Sequence, residues 1–116
     1  MSRILIAGSR DYTDYNNIRN FLVALSSDTV IITGGCRGAD SIAEFVAKQL
    51  KMTVEVFPAE WKKYGRSAGP KRNLKMIKEG KPDKVIIFHS NINESKGSKN
   101  MKQLAEYFKI PVTVLP

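Results

Sequence analysis

The chain has 116 residues, a usual size for one domain around one core. Nineteen lysines and arginines against eleven aspartates and glutamates leave a formal charge of +8. That balance points to an anionic partner (a nucleotide, a nucleic acid or an acidic surface) or simply to a solvated, lysine-rich exterior. With Cys36 as the only cysteine and His89 as the only histidine, an intrachain disulfide is excluded and a metal centre is not expected. No apolar run approaches membrane-spanning length and no signal-peptide pattern opens the chain. Nothing in the composition divides the sequence, so residues 1–116 are expected to form a single soluble, cytoplasmic domain with no membrane partner.

In chain order, residues 3–8 are a short apolar run that ends in Gly8 and reads as a central parallel strand. Ser9, Arg10, Asp11 and Tyr12 follow as a polar loop, and Thr13 or Asp14 can cap the next helix. Ile18, Phe21, Leu22 and Leu25 recur at helical spacing, which predicts a helix ending near Ser27. Residues 29–33 read as a second, fully buried strand.

The turn after it, residues 33–40, holds Gly34, Gly35, Cys36, Arg37, Gly38 and Asp40. Glycines let backbone N–H groups approach a ligand with no Cβ in the way, and the helix that follows presents unpaired N–H groups and partial positive charge to a phosphate. Arg37 adds a planar fork of donors suited to phosphate. Turn geometry alone also explains glycines at such a place, and Asp40 reads as a cap on the second helix. That helix is expected to turn Ile42, Phe45, Val46 and Leu50 inward.

Residues 52–57 form a third strand, closed by Pro58. Residues 59–70 then show no period and are rich in aromatic, basic and glycine residues, which predicts a long functional loop. Pro70 suits a first helical turn, and Leu74, Met76 and Ile77 give a short helix stopped by Gly80 and Pro82. Residues 84–89 are the fourth strand, and the polar stretch 90–99 leads to a helix with Met101, Leu104, Ala105 and Phe108 on one face. Residues 110–115 are the last strand, placed at an edge or strand start by Pro111.

Alternating strands and helices of this kind predict an α/β fold: a single Rossmann-like three-layer domain, with a five-stranded parallel sheet covered by helices on both faces. Ligands bind such sheets at the carboxyl ends of the strands, where the strand order reverses. The loops after strands one, two and four are therefore expected to converge, with Trp61 and Tyr64 folding over the same rim.

Taken together, Gly8-Ser9-Arg10-Asp11-Tyr12, Gly34-Gly35-Cys36-Arg37-Gly38-Ala39-Asp40, Pro58-Ala59-Glu60-Trp61, Tyr64-Gly65, Ala68-Gly69, Arg72-Asn73 and Met76 resemble the SLOG superfamily of small Rossmann-like proteins, and within it the YspA-like, YpsA-related branch. The resemblance runs over nearly the whole chain. It implies a nucleotide or ADP-ribose-like ligand on the glycine turns, and association into a dimer or higher homo-oligomer. The superfamily includes the LOG phosphoribohydrolases, the DNA-processing DprA proteins and sensors of NAD-derived or cyclic nucleotide signals. The acidic, glycine-rich turn of the LOG enzymes has no clear equivalent here; the corresponding stretch, residues 94–101, contains one glycine and opens its helix with lysine and asparagine.

The ligand or phosphate contacts expected are accordingly Gly8, Ser9, Arg10, Gly34, Gly35, Arg37 and Gly38, with Gly97, Ser98 and Lys99 at the start of the last long helix as a second phosphate site. Arg10 meets a phosphate or pairs with Asp11. Trp61 and Tyr64 stack on a base or pack over the sheet edge. Arg72 and Asn73 stand in a first helical turn, where the dipole disfavours a cation, and that conflict points to a role in the site or to an ion pair. Catalytic residues are unassigned, with Glu60 and Glu94 as the weak candidates; His89 reads as structural. No cofactor is expected. The leading expectation is capture of a phosphorylated nucleotide-derived signal by sensing or sequestration, including a viral protein that soaks up a host immune signal. A LOG-like nucleoside-monophosphate hydrolase and a DprA-like single-strand binder are the alternatives.

Overall fold

The computed structural model describes residues 2–92 and 95–116. Five strands, β1 (Arg3–Gly8), β2 (Val30–Thr33), β3 (Thr53–Val56), β4 (Lys84–Phe88) and β5 (Val112–Leu115), form one sheet in the order β3-β2-β1-β4-β5, every neighbouring pair parallel. The helices are α1 (Tyr15–Val23), α2 (Ala39–Gln49), α3 (Trp61–Tyr64), α4 (Ala68–Gly80) and α5 (Lys96–Tyr107), with a 3-10 turn at Gly65–Ser67. The expected three-layer α/β domain is what the chain forms.

Side chains on a strand alternate between faces, and the core divides accordingly. Ile4, Ile6, Ile31, Ile86 and Phe88 pack under α1 and α2. Leu5, Val30, Ile32, Val85 and Ile87 pack under α4 and α5. The central strands are apolar on both faces because both faces are covered. The edge strands β3 and β5 carry half-exposed side chains, and Pro111 lies just before the edge strand β5, as expected. From β1 the chain builds outward through β2 to β3, then returns past β2 and β1 to lay down β4. The reversal between β1 and β4 opens the crevice where such sheets take ligands.

Four local expectations are corrected. Asp14 caps α1 by accepting from the Asn17 N–H at 3.0 Å, but the helix ends at Val23 rather than near Ser27. In α2 the inward face is made by Ala39, Ala43, Val46 and Ala47, whereas Phe45 is 55% exposed and leans on the Tyr15 ring. Small residues win there because the helix runs close to the sheet: a Cβ on Gly8 would fall 2.7 Å from that of Ala39. The stretch 59–70 is mostly helical, and α4 begins at Ala68, with Pro70 inside its first turn. Gly80 is the last residue of α4, not the residue beyond it, and its missing Cβ leaves room for Ile32; Lys81 takes the left-handed position.

Candidate functional site

The crevice at the reversal holds a cavity of about 500 Å³, within the usual range for small-molecule sites. Its walls come from the ends of β1 and β4, the turn before α2, the stretch 61–76 and the first turns of α5. Of the residues singled out from sequence, Gly8, Ser9, Arg10, Trp61, Arg72, Asn73, Gly97 and Ser98 line it together.

The turns that build the walls interlock. Ser9 N–H donates to the Phe88 carbonyl at 3.0 Å, joining the β1 and β4 ends. The Ser9 carbonyl accepts from Ala39 N–H at 3.1 Å, joining the β1 loop to α2. Gly38, at φ 80°, permits that approach, because a Cβ there would collide with the Ser9 carbonyl and lie 2.6 Å from the Arg10 backbone. Gly38 therefore serves the joint between two turns instead of facing the cavity.

Gly34 has a similar task. A Cβ on it would run into the Arg72 guanidinium and lie 3.0 Å from Asp40 Oδ2. The space is filled by the protein's own side chains. Arg72 Nη1 donates to the Gly34 carbonyl at 2.7 Å, Nε donates to Asn73 Oδ1 at 3.0 Å, and both terminal nitrogens sit 3.5 Å from Cys36 Sγ. Asn73 is buried and passes the network on, its amide donating to Asn100 Oδ1 at 3.0 Å and to the Gly97 carbonyl at 3.3 Å. One chain of hydrogen bonds thus ties the turn after β2 through α4 to the start of α5. Because α4 begins at Ala68, Arg72 and Asn73 stand in its second turn and not in the first as expected, and Arg72 is used as a clamp.

Asp40 is the main site residue that sequence reasoning placed elsewhere. Gly38 is the cap residue of α2, with no side-chain cap, and Asp40 folds back to accept from the Cys36 N–H at 3.3 Å. It is 6% exposed and lines the cavity. Burial pushes its pKa up to about 6, opposed by the Cys36 and Gly34 N–H groups and by the positive charges of Arg72 and Arg10. Arg66, Ser95, Lys96 and Asn100 also join the lining, as do Cys36, Asp11 and His89. His89 Nδ1 accepts from the Asn91 N–H at 2.9 Å.

Other expected contacts lie apart. Gly34, Gly35 and Arg37 line an adjoining shallow groove, which meets the cavity at Arg10, Cys36 and Trp61. The Arg37 side chain is 75% exposed and pairs with Asp11 at 3.6 Å, so it is Arg37 rather than Arg10 that takes Asp11. Arg10 lies over the Trp61 ring, 5.4 Å from its centre, so the ring's stacking partner is already Arg10. Tyr64 and Glu60 face a separate, more open groove with Lys71, Lys75 and Lys78, and the Lys71 ammonium sits 4.4 Å from the Tyr64 ring centre. Lys99 is exposed and outside the cavity lining. Glu94 lies outside the described residues.

The helix that Ser98 and Lys99 were expected to open starts two residues earlier, at Lys96. Ser95 caps it by accepting from the Ser98 N–H at 3.2 Å. The N–H groups of Lys96 and Gly97 belong to the first turn, which a helix leaves without intrahelical partners. A Cβ on Gly97 would meet nothing within 4 Å, so the protein itself sets no steric demand for glycine at this cavity-lining position. Among the described residues no group of three or more His, Cys, Asp or Glu side chains is placed to hold a metal, and no described helix is long and apolar enough to cross a membrane.

Comparison with known proteins agrees with this architecture. A family model described as the YspA, cpYpsA-related SLOG family matches residues 2–64. The Gene 61 protein of Mycobacterium phage D29 is 31% identical over 121 residues, covering 97% of this chain and 94% of that protein. The X-ray structure of DNA processing protein A (DprA) from Streptococcus pneumoniae shares the fold, with a TM-score of 0.78 at 19% identity. The alignment takes in 100% of this chain and 50% of that one, so the chain spans about half its length.

Proposed function

This chain belongs to the YspA, cpYpsA-related SLOG family, and from that premise we propose that its cavity captures a phosphorylated nucleotide-derived ligand, an NAD- or ADP-ribose-derived or cyclic nucleotide signal, and senses or sequesters it. One observation carries the reading. At the β1/β4 reversal Arg10, Arg66, Arg72 and Lys96 share a cavity with the first turn of α5, and Gly97 there leaves its Cβ space to something other than protein. Positive charge and oriented N–H groups in a concave site favour a phosphate.

A second reading, hydrolysis of a nucleoside monophosphate at its N-glycosidic bond, is favoured by Asp40 alone. Such cleavage passes through a cationic sugar that a nearby carboxylate stabilises, and Asp40 is a buried carboxylate in the cavity.

The two readings part in one experiment: a thermal-shift panel of AMP, NAD, ADP-ribose, cyclic dinucleotides and a short single strand, with chromatography of the same samples. A ligand at about 100 times its Kd adds about 2.7 kcal/mol, which in a domain this size moves Tm by on the order of 10 °C. A shift with ligand recovered intact supports capture. Release of free base, lost in Asp40→Asn, supports hydrolysis. Silence from every nucleotide overturns both.

Gly97→Ala gives a sharper prediction. Alanine is the better helix former by up to about 1 kcal/mol, and the added methyl meets open space, so the melting temperature should hold or rise slightly. Affinity for the ligand found in the panel should fall about tenfold, because the methyl stands where a phosphate approaches, a loss of roughly 1.4 kcal/mol. Unchanged affinity in titration calorimetry would remove the α5 turn from the site.

A further inference from the structure

The cavity is cationic except for Asp40 and Asp11, and Asp11 is paired with the exposed Arg37. Asp40 is different, because it is buried and because the charges nearest to it are spoken for. Arg72 from α4 is committed to the Gly34 carbonyl, Asn73 and Cys36, and Arg10 from the β1 loop lies over Trp61. Arg10 and Arg72 are also the two cations that act on Asp40. Asp40, when ionised, offsets one of these two charges, and both side chains are already engaged by protein groups. Arg66, Lys96 and the α5 turn, on residues outside that arrangement, keep their positive charge for a ligand.

We infer that Asp40 is the selectivity residue of the cavity: it requires a ligand with hydroxyl donors beside its phosphate, as a ribose has, and disfavours a bare inorganic anion. This rests on the reading of the cavity as a nucleotide site. A carboxylate met only by the backbone N–H groups of Cys36 and Gly34 retains acceptor capacity, and a ribose diol supplies donors to it. A second anion in the same small cavity meets like charge with little water between, whereas an ester phosphate tethered to a sugar is held toward α5. The groups facing Asp40 are Arg72 from α4, Arg10 from the β1 loop and the N–H groups of Cys36 and Gly34 from its own turn. His89 after β4 and Lys96 on α5 line the same cavity.

The test titrates the full chain with AMP, with its 2′,3′-dideoxy analogue and with inorganic sulfate, whose charge is constant across the range used. At pH above the value of about 6 where Asp40 titrates, AMP should bind about tenfold tighter than the dideoxy analogue, a charge-assisted hydrogen bond's worth. Sulfate should bind about tenfold more weakly at about pH 7.5 than at about pH 5, the repulsion expected of two charges within one cavity. Both comparisons use the wild-type chain, so they stand even if a variant folds poorly. Asp40→Asn should narrow both differences, and His89→Gln should leave the sulfate effect in place. AMP binding with no preference for the diol, or a sulfate effect that survives Asp40→Asn and vanishes in His89→Gln, overturns the inference and leaves the nucleotide site standing. No binding of AMP or sulfate at any pH overturns the inference, and the site reading falls with it when every nucleotide of the panel is silent as well.

Discussion

Asp40→Asn is expected to raise the stability of the ligand-free protein by about 1–2 kcal/mol at pH 7.5, an unusual sign for a buried polar substitution. In the folded chain Asp40 holds its proton up to about pH 6, against an ordinary value of 3.8. The difference, 6 − 3.8, is about two pKa units, or about 3 kcal/mol charged against the ionised form. Asparagine removes that cost and can still accept from the Cys36 N–H through Oδ1. Its Nδ2–H group gains no evident acceptor, which returns about 1–2 kcal/mol. The pH dependence carries the sign. Between 3.8 and about 6 the folded state keeps a proton that the unfolded chain releases, so this group's contribution is full below that window and is lost as pH rises through it. Urea unfolding from pH 4 to 8 should show the wild type losing stability relative to Asp40→Asn across that interval. A constant difference would mean that Asp40 titrates as an ordinary surface carboxylate.

Arg72→Ala should be the most damaging single change in the site, costing about 2–4 kcal/mol at pH 7.5. It removes the donor to the Gly34 carbonyl and frees Asn73 Oδ1, so the clamp between the β2 turn, α4 and α5 opens at its centre. It also withdraws one of the charges that hold down the Asp40 pKa. The loss should therefore be smaller at pH 4.5, where Asp40 is already neutral, than at pH 7.5. Arg72→Lys should recover little, since a single ammonium cannot reach the Gly34 carbonyl and Asn73 together as the guanidinium fork does. Denaturant midpoints at the two pH values check this. Equal losses at both would show that Arg72 acts on packing and not on Asp40.

These two residues show where sequence was legible and where it was not. Strands such as residues 84–88 declare themselves, because a run apolar on both faces has few other uses. Alternating strands and helices predict a parallel sheet with its ligand at the carboxyl ends of the strands, but the order that puts the reversal between β1 and β4 is set by packing that the alternation does not reveal. What the glycines are for does not. Gly34 and Gly38 sit where phosphate-binding glycines would sit, yet their missing Cβ space is taken by Arg72 and by the Ser9–Arg10 backbone. Of the glycines that line the cavity, Gly97 alone has a Cβ position that meets nothing within 4 Å. The exposed Arg37 carries the motif's obvious cation, while the buried work falls to an arginine 38 residues after Gly34. Asp40 occupies a first-turn position where acidic residues ordinarily serve the helix dipole, and nothing local signals its burial. Four-residue α3 is too short to show a period, so residues 59–70 read as loop. In α2 the alanines at spacing four go unnoticed beside the larger Phe45, which points outward.

The central claim, that the crevice between β1 and β4 is a nucleotide site, is tested most directly by amide chemical shifts in the full chain titrated with the best ligand of the panel. The account predicts that the largest changes fall on Gly8, Ser9 and Arg10 and on Lys96, Gly97 and Ser98, with the α4 clamp following. Shifts concentrated instead around Tyr64, Lys71, Lys75 and Lys78, with the crevice amides unmoved, would contradict it and move the binding surface to the open basic groove on the other side of α4.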